Sequence, residues 1–144
     1  MLAPALVADT ERLLERSALD ALAIAGKAGQ VSGGFSKVEA ALREDDVKAL
    51  IHAADAGDDG RRKLDAALRR KTPGKLREIA IIDIFTGEQL DLALNRPNVV
   101  HAALLAGPGS ETFLARAARL KRFRLPAATT ANASADGARG QSSE

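Results

Sequence analysis

Two adjacent glycines, Gly33 and Gly34, stand between a short apolar stretch and a run with helical spacing, in Lys27-Ala-Gly-Gln-Val-Ser-Gly-Gly-Phe-Ser-Lys37-Val-Glu-Ala-Ala-Leu-Arg43. Glycines placed just before a helix leave its first backbone N–H groups uncovered, and those groups together with the helix dipole attract phosphate. Ser36 adds a hydroxyl that donates or accepts one hydrogen bond, and Lys27 and Lys37 add a cation on each side. The chemistry on offer is anion binding of the kind that holds a nucleic-acid backbone. A plainer reading stands beside it: paired glycines also let a strand turn into a helix with no ligand involved.

Charge along the chain supports the first reading. Residues 1–59 hold 6 Lys/Arg against 11 Asp/Glu, residues 60–78 hold 8 against 2, and residues 113–124 hold 5 against none. The net charge of +2 therefore conceals two basic blocks. One comprises Arg61, Arg62, Lys63, Arg69, Arg70, Lys71, Lys75 and Arg77; the other is Arg116, Arg119, Lys121, Arg122 and Arg124. Blocks of this kind track phosphate backbones, and they also occur as plain solvated helix faces.

Other chemistries find little support. Asp55-Ala-Gly57-Asp-Asp59-Gly60 opens like a calcium loop, but the third position is Gly57 and the twelfth is Ala66, where a bidentate Glu is required. No GxxxxGK[ST] frame surrounds Gly26-Lys27 or Gly33-Gly34, and no GxGxxG or GxSxG follows a strand. His52 and His101 each fall in an expected strand, and neither has a carboxylate or second histidine at a ligand spacing such as i+4. Both read as core or sheet-edge histidines. Clustered Asp55, Asp58 and Asp59 are ordinary turn chemistry. The expectation is a protein that is not an enzyme, with no cofactor, no metal and no small-molecule substrate.

The elements that position these residues follow from hydrophobic period. A first helix is expected over about 9–25, capped by Asp9 or Thr10, with Leu13, Leu14, Ala18, Leu22 and Ala25 on one face. A strand at 30–32 leads through Gly33-Gly34 into a second helix reaching Arg43, then a strand at 48–53 and a polar turn at 55–60. A basic third helix spans roughly 60–70 and stops near Pro73-Gly74. Glu78-Ile-Ala-Ile-Ile82 reads as a strand buried on both faces. Thr86-Gly-Glu-Gln89 is a capping box for a helix over 88–94. Asn98–Leu105 is a second buried strand, and Gly107-Pro-Gly-Ser110 turns into a last helix ending near Arg124. Strands alternating with helices predict a three-layer α/β/α sandwich around a small mixed four-stranded sheet.

With 144 residues and 46% hydrophobic content, the chain holds one domain over 1–124 and a tail. From Leu125 onward no large apolar residue follows, so residues 125–144 are expected to be disordered. Aromatics are limited to Phe35, Phe85, Phe113 and Phe123, which makes the core aliphatic and leaves few platforms for stacking bases. The absence of cysteine excludes a disulfide frame and a thiolate zinc site, and suits a reducing compartment. No basic n-region and no run of about eighteen apolar residues occurs, so a cytoplasmic protein without a membrane span is expected.

Several strings, taken in order, resemble the kink-turn-binding ribosomal-protein superfamily of the archaeal L-seven-Ae type. The resemblance is nearer to its bacterial YlxQ-like branch, which also occurs fused behind a YlxR-type RNA-binding domain. The strings are Ala25-Gly-Lys-Ala-Gly29, Val31-Ser-Gly-Gly-Phe35, Lys37-Val-Glu-Ala-Ala-Leu-Arg43, Ala53-Ala-Asp55 with Arg62-Lys-Leu64, Phe85-Thr-Gly-Glu-Gln-Leu90 and Asn98-Val-Val-His-Ala102. This resemblance covers about 19–124 and implies a domain that binds structured RNA, ribosomal or messenger, in the setting of the ribosome or a transcription complex.

It implies RNA contact at three places: the glycine turn with Gly33, Gly34, Ser36 and Lys37; the segment from Ala54 to Arg62, extended by Arg61, Arg62 and Lys63; and the loop at Gly107. Lys27 completes the expected RNA-binding set. The family pattern is Gly-x-Asn-Glu-x-x-Lys, and with its Gly on Gly34 this chain has Ser36, Lys37 and Ala40 in place of Asn, Glu and Lys. Losing a carboxylate that accepts from guanine and gaining a lysine moves recognition from base edges toward phosphate, with a steeper salt dependence. Residues 1–18 resemble the connector that follows a YlxR-type domain in fused relatives, which implies either a fragment of such a protein or a separately encoded half. The alternative to RNA binding is a protein-interaction module that docks through its Ala- and Leu-rich helix faces.

Overall fold

The computed structural model describes residues 4–71 and 79–124. The elements run α1 (Pro4–Lys27), β1 (Val31–Gly33), α2 (Phe35–Glu44), β2 (Val47–His52), α3 (Asp58–Lys71), β3 (Ala80–Ile82), α4 (Gly87–Leu94), β4 (His101–Leu105) and α5 (Pro108–Arg124). All of the expected helices and strands occur, with shifted ends. The stop at Pro73-Gly74, the cations Lys75 and Arg77, Glu78 and the tail from Leu125 lie outside the described residues.

The sheet has the order β1-β4-β2-β3. β4 is central, antiparallel to β1 through Val31–Leu104 and Gly33–Ala102, and antiparallel to β2 through His52–His101 and Ile51–Ala102. β3 joins β2 in parallel, a pairing that requires the α3 crossover. Strand alternation sorts the core onto two faces. Ala49, Ile51, Ala102 and Leu104 pack with Leu22 of α1, Leu90 of α4 and Phe113 of α5. Leu50 and Ala103 face the other way, onto Val38 and Leu42 of α2 and Leu64 and Leu68 of α3. Val47 shares the second face although it lies three residues before Leu50, because a register shift between Val47 and Ala49 absorbs one residue. The result is the expected α/β/α sandwich.

Three expectations need correction. α1 begins at Pro4 rather than near Asp9, and Leu13 is exposed (68%) while Ala21 takes its place in the core. β3 is an edge strand in which Ala80 and Ile81 are exposed and only Ile82 is buried, so the apolar run did not mean burial on both faces. β4 starts at His101 and not Asn98, because Asn98 and Val100 have φ of 52°, outside strand geometry. The capping box is present as expected: Gln89 N–H donates to the Thr86 hydroxyl at 3.2 Å and Thr86 N–H to Gln89 Oε1 at 2.9 Å. Among the described residues no helix is long and apolar enough to cross a membrane.

Candidate nucleic-acid interface

Gly34 is the N-cap of α2, with φ 97° and ψ 148°, a conformation open in practice to glycine alone. Among the described residues no side chain caps the helix, and a Cβ on Gly34 would meet nothing within 4 Å. The start of α2 is thus bare, with Ser36 and Lys37 exposed in its first turn. Gly34 itself is anchored from behind: its N–H donates to the carbonyl of His101 at 2.8 Å, and its own carbonyl accepts from Val38 N–H at 2.9 Å.

Antiparallel pairing decides which loops share this end of the sheet. β1 ends where β4 begins, and β2 ends opposite the same residue, His101. The glycine turn, the segment after His52 and the loop from Asn95 to Val100 are therefore neighbours. Gly107 follows the far end of β4 and lies at the opposite end of the sheet. There the space a Cβ would need is filled by Gln30, whose Cδ would be 2.2 Å away. Gln30 Oε1 accepts from Ser110 N–H at 3.0 Å, capping α5 from within the protein. The close backbone approach that Gly107 permits is made by Gln30.

The loop before β4 contributes a cation that the sequence reading passed over. Arg96 stands against Gly33, where a Cβ would sit 3.3 Å from its Nη1, and together with Lys27 it lines a hollow of about 260 Å³ along the outer edge of β1. Asp91 shapes this loop: its carboxylate accepts from Asn98 N–H at 3.1 Å and Val99 N–H at 2.9 Å. Asn95, Asn98 and Val100 all take positive φ, and for a β-branched residue such as Val100 this is strained by about 1–3 kcal/mol. His101 N–H turns back to the Val99 carbonyl, closing a γ-turn over Val100. An Asn-Arg-Pro-Asn string between a helix and a strand is the sequence signal for such a loop.

The run Arg61-Arg62-Lys63 divides in three. Arg61 is half-buried and donates to Asp83 at 2.8 Å; Lys63 is exposed and paired with Asp59 at 3.1 Å; Arg62 is exposed with no acidic partner among the described residues. Asp55 accepts from Gly87 N–H at 2.9 Å and so helps start α4. Of the second basic block, Arg124 binds Glu11 and Glu15 and Arg116 donates to the Ser17 carbonyl, which fastens α5 to α1.

Both histidines are buried, as the core reading expected, and they touch. His52 Nδ1 and His101 Nδ1 are 2.9 Å apart, and His52 Nε2 is 3.1 Å from Asp65 Oδ1. Their separation of 49 positions hid this from any spacing argument. Burial, then the neighbouring His52 and Arg61, lower the pKa of His101 below the usual 6.5, with Asp65 opposing.

Of the expected cations, Lys37 lies in the first turn of α2, Lys27 shares with Arg96 the hollow along β1, and Arg62 is on α3, while Gly107 lies at the other end of the sheet. No protein-family model and no curated protein matches the chain. Among solved structures it is similar to a protein of unknown function from Bacillus halodurans, at TM-score 0.57 and 23% identity over 70% of this chain and 96% of that one. It is also similar to the 15.5 kD RNA-binding protein of Giardia lamblia, at TM-score 0.54 and 15% identity over 76% of this chain and 89% of that one. At these identities the likeness establishes a shared fold.

Proposed function

We propose that this chain is a non-catalytic RNA-binding domain of the L-seven-Ae type, close to the YlxQ-like branch, and that a structured RNA lies across the end of the sheet carrying the glycine turn. The observation that carries this reading is the start of α2 at Gly34, where among the described residues no side chain caps the helix and the space a Cβ would take is open. Backbone amides there receive phosphate oxygens, Lys27, Lys37 and Arg96 neutralise neighbouring phosphates, and Ser36 supplies one further hydrogen bond. Arg62 extends the track along α3. The RNA-binding protein of Giardia lamblia with the same fold supports the assignment. Amides and cationic side chains bind phosphate without transferring protons, in keeping with a protein that is not an enzyme. With Ser36, Lys37 and Ala40 in the recognition positions, phosphate contact outweighs base readout.

The test is binding of the chain to bacterial ribosomal RNA and to a kink-turn hairpin, titrated across salt. The expected result is a log–log linear loss of affinity with salt, and weaker binding by Lys37→Glu plus Arg62→Glu with an unchanged unfolding midpoint. Binding that the double variant leaves intact removes this surface from the proposal.

One observation favours a second reading. A groove of about 880 Å³ runs between α1 and α4, with Leu13 and Leu92 exposed at its rim (68% and 77%) among Arg12, Glu15 and Arg16. Failure to bind either RNA at low salt would turn attention to a protein partner in that groove.

A further inference from the structure

His52 and His101 are the only two histidines of a chain without cysteine, and so its only side chains that ordinarily titrate between pH 5 and 8. The fold brings them together. They are register partners on β2 and β4, fully and 94% buried, with rings edge to face at a centroid distance of 5.1 Å. A 2.9 Å contact between two Nδ1 atoms holds one hydrogen: one ring donates and the other accepts. On the far side, His52 Nε2 faces Asp65 Oδ1 and donates to it.

A proton count follows. The neutral pair carries two ring protons, one between the Nδ1 atoms and one toward Asp65. A third proton fits on the remaining nitrogen, His101 Nε2, without disturbing either contact. A fourth sets two N–H groups head to head, and the Nδ1 contact must open. Among the described residues the charged side chains acting on His101 are on α3, Asp65 favouring a cation and Arg61 opposing one, with Asp83 next to β3 engaged by Arg61. From α2 the neighbour is Phe35, which is uncharged.

His101 also holds the glycine turn. Its carbonyl accepts the Gly34 N–H at 2.8 Å, and its ring meets Phe35, the first residue of α2, edge to face at 6.0 Å. Its Nε2 fits beneath α3 only because residue 60 is glycine: a Cβ there would lie 2.7 Å away. One imidazole therefore touches the starts of both helices that carry the proposed RNA contacts. We propose that His101, through a hydrogen shared with His52, is the positioning residue that sets the glycine turn against α3, and that double protonation of the pair opens this arrangement. The consequence for RNA rests on the function proposed above; the coupling within the protein does not.

The direction separates positioning from charge. Acid adds positive charge, which by itself strengthens binding to a polyanion. Opening the pair displaces Gly34 and weakens binding.

The experiment follows the Gly34 amide and both imidazoles of the full chain by NMR from pH 8 to pH 5, alongside affinity for a kink-turn hairpin at constant salt. The Gly34 amide is expected to shift with the second, more acidic ionisation step of the pair while the amide of Leu22 in α1 stays in place. Hairpin affinity is expected to fall about tenfold between pH 7.5 and pH 5, within the usual range of coupling between sites. His101→Asn keeps a donor within reach of His52 and cannot ionise, so its Gly34 amide and affinity should stay nearly flat with pH. A Gly34 amide that ignores both ionisations overturns the proposal, as does a titration of Gly34 that survives in His101→Asn. If that variant does not fold, the titration of the unaltered chain decides alone. A Gly34 amide that titrates in a protein that binds no hairpin at any pH upholds the positioning role and removes the RNA reading instead.

Discussion

Two glycine-to-helix junctions sit at opposite ends of the same sheet, and they are built in opposite ways. At Gly107 the protein fills the glycine's open side with Gln30 and caps α5 through Ser110 N–H. At Gly34, among the described residues, the open side is left empty and α2 has no side-chain cap. Both junctions look alike in the sequence, each a glycine pair or near-pair followed by a helical run. What separates them is a side chain eighty positions from Ser110. A glycine before a helix becomes an anion site only where nothing in the chain has already taken its amides.

Substituting the two glycines breaks or sharpens this contrast. Gly107→Ala drives a Cβ into Gln30, which must leave and take the Ser110 cap with it. Lost cap and strained backbone together are expected to cost about 3 kcal/mol. Gly34→Ala meets no neighbour and suffers from its φ of 97° alone, about 1–2 kcal/mol. Chemical denaturation of both variants measures the difference. Equal losses would mean that the Gly34 turn is packed as tightly as the other.

The contrast also shows why the fold was easier to read than the site. Period and capping identified each helix and strand, because Thr86 with Gln89, or Leu64 with Leu68, act over three or four residues. The apolar run Ile79–Ile82 misled, since position in a sheet depends on which strands flank it, and β3 has a described partner only in β2. Leu13 misled for the same reason: helical spacing made it equivalent to Leu14, and only the placement of α4 and α5 around α1 selects between them. Gly33, Gly34, Ser36 and Lys37 were legible as a site because they adjoin one another. Arg96, Gln30 and the histidine pair were not, because each acts on a residue dozens of positions away through strand register.

That register makes stability depend on pH. His101 has a folded pKa below its unfolded value of 6.5, so the unfolded chain binds more protons as the solution is acidified. Stability is therefore full above about pH 6.5 and falls as pH drops toward the lowered folded value. The effect is smaller than that of Gly107→Ala because a single imidazole carries it. Urea midpoints at pH 7.5, 6 and 5 should decline in the unaltered chain and decline less in His101→Asn. An equal decline would assign the dependence to carboxylates instead, and the histidine pair would be inert in this range.

The smallest effect on stability, and the most informative about binding, lies within the basic run on α3. Arg61 is tied to Asp83 in a half-buried pair, and Lys63 to Asp59 in an exposed one worth no more than about 0.5 kcal/mol. Arg62 has no acidic partner among the described residues, so Arg62→Ala should leave the unfolding midpoint within about 0.5 kcal/mol. If Arg62 meets a phosphate, the same change lowers the slope of log affinity against log salt by about 1. Arg61→Ala should do the reverse, destabilising the protein while leaving the slope nearly unaltered, because its guanidinium is already neutralised by Asp83. Equal slopes for the two variants would mean that the RNA track does not distinguish a paired cation from a free one, and would move it off α3 and back toward Lys37 and Arg96 at the bare start of α2.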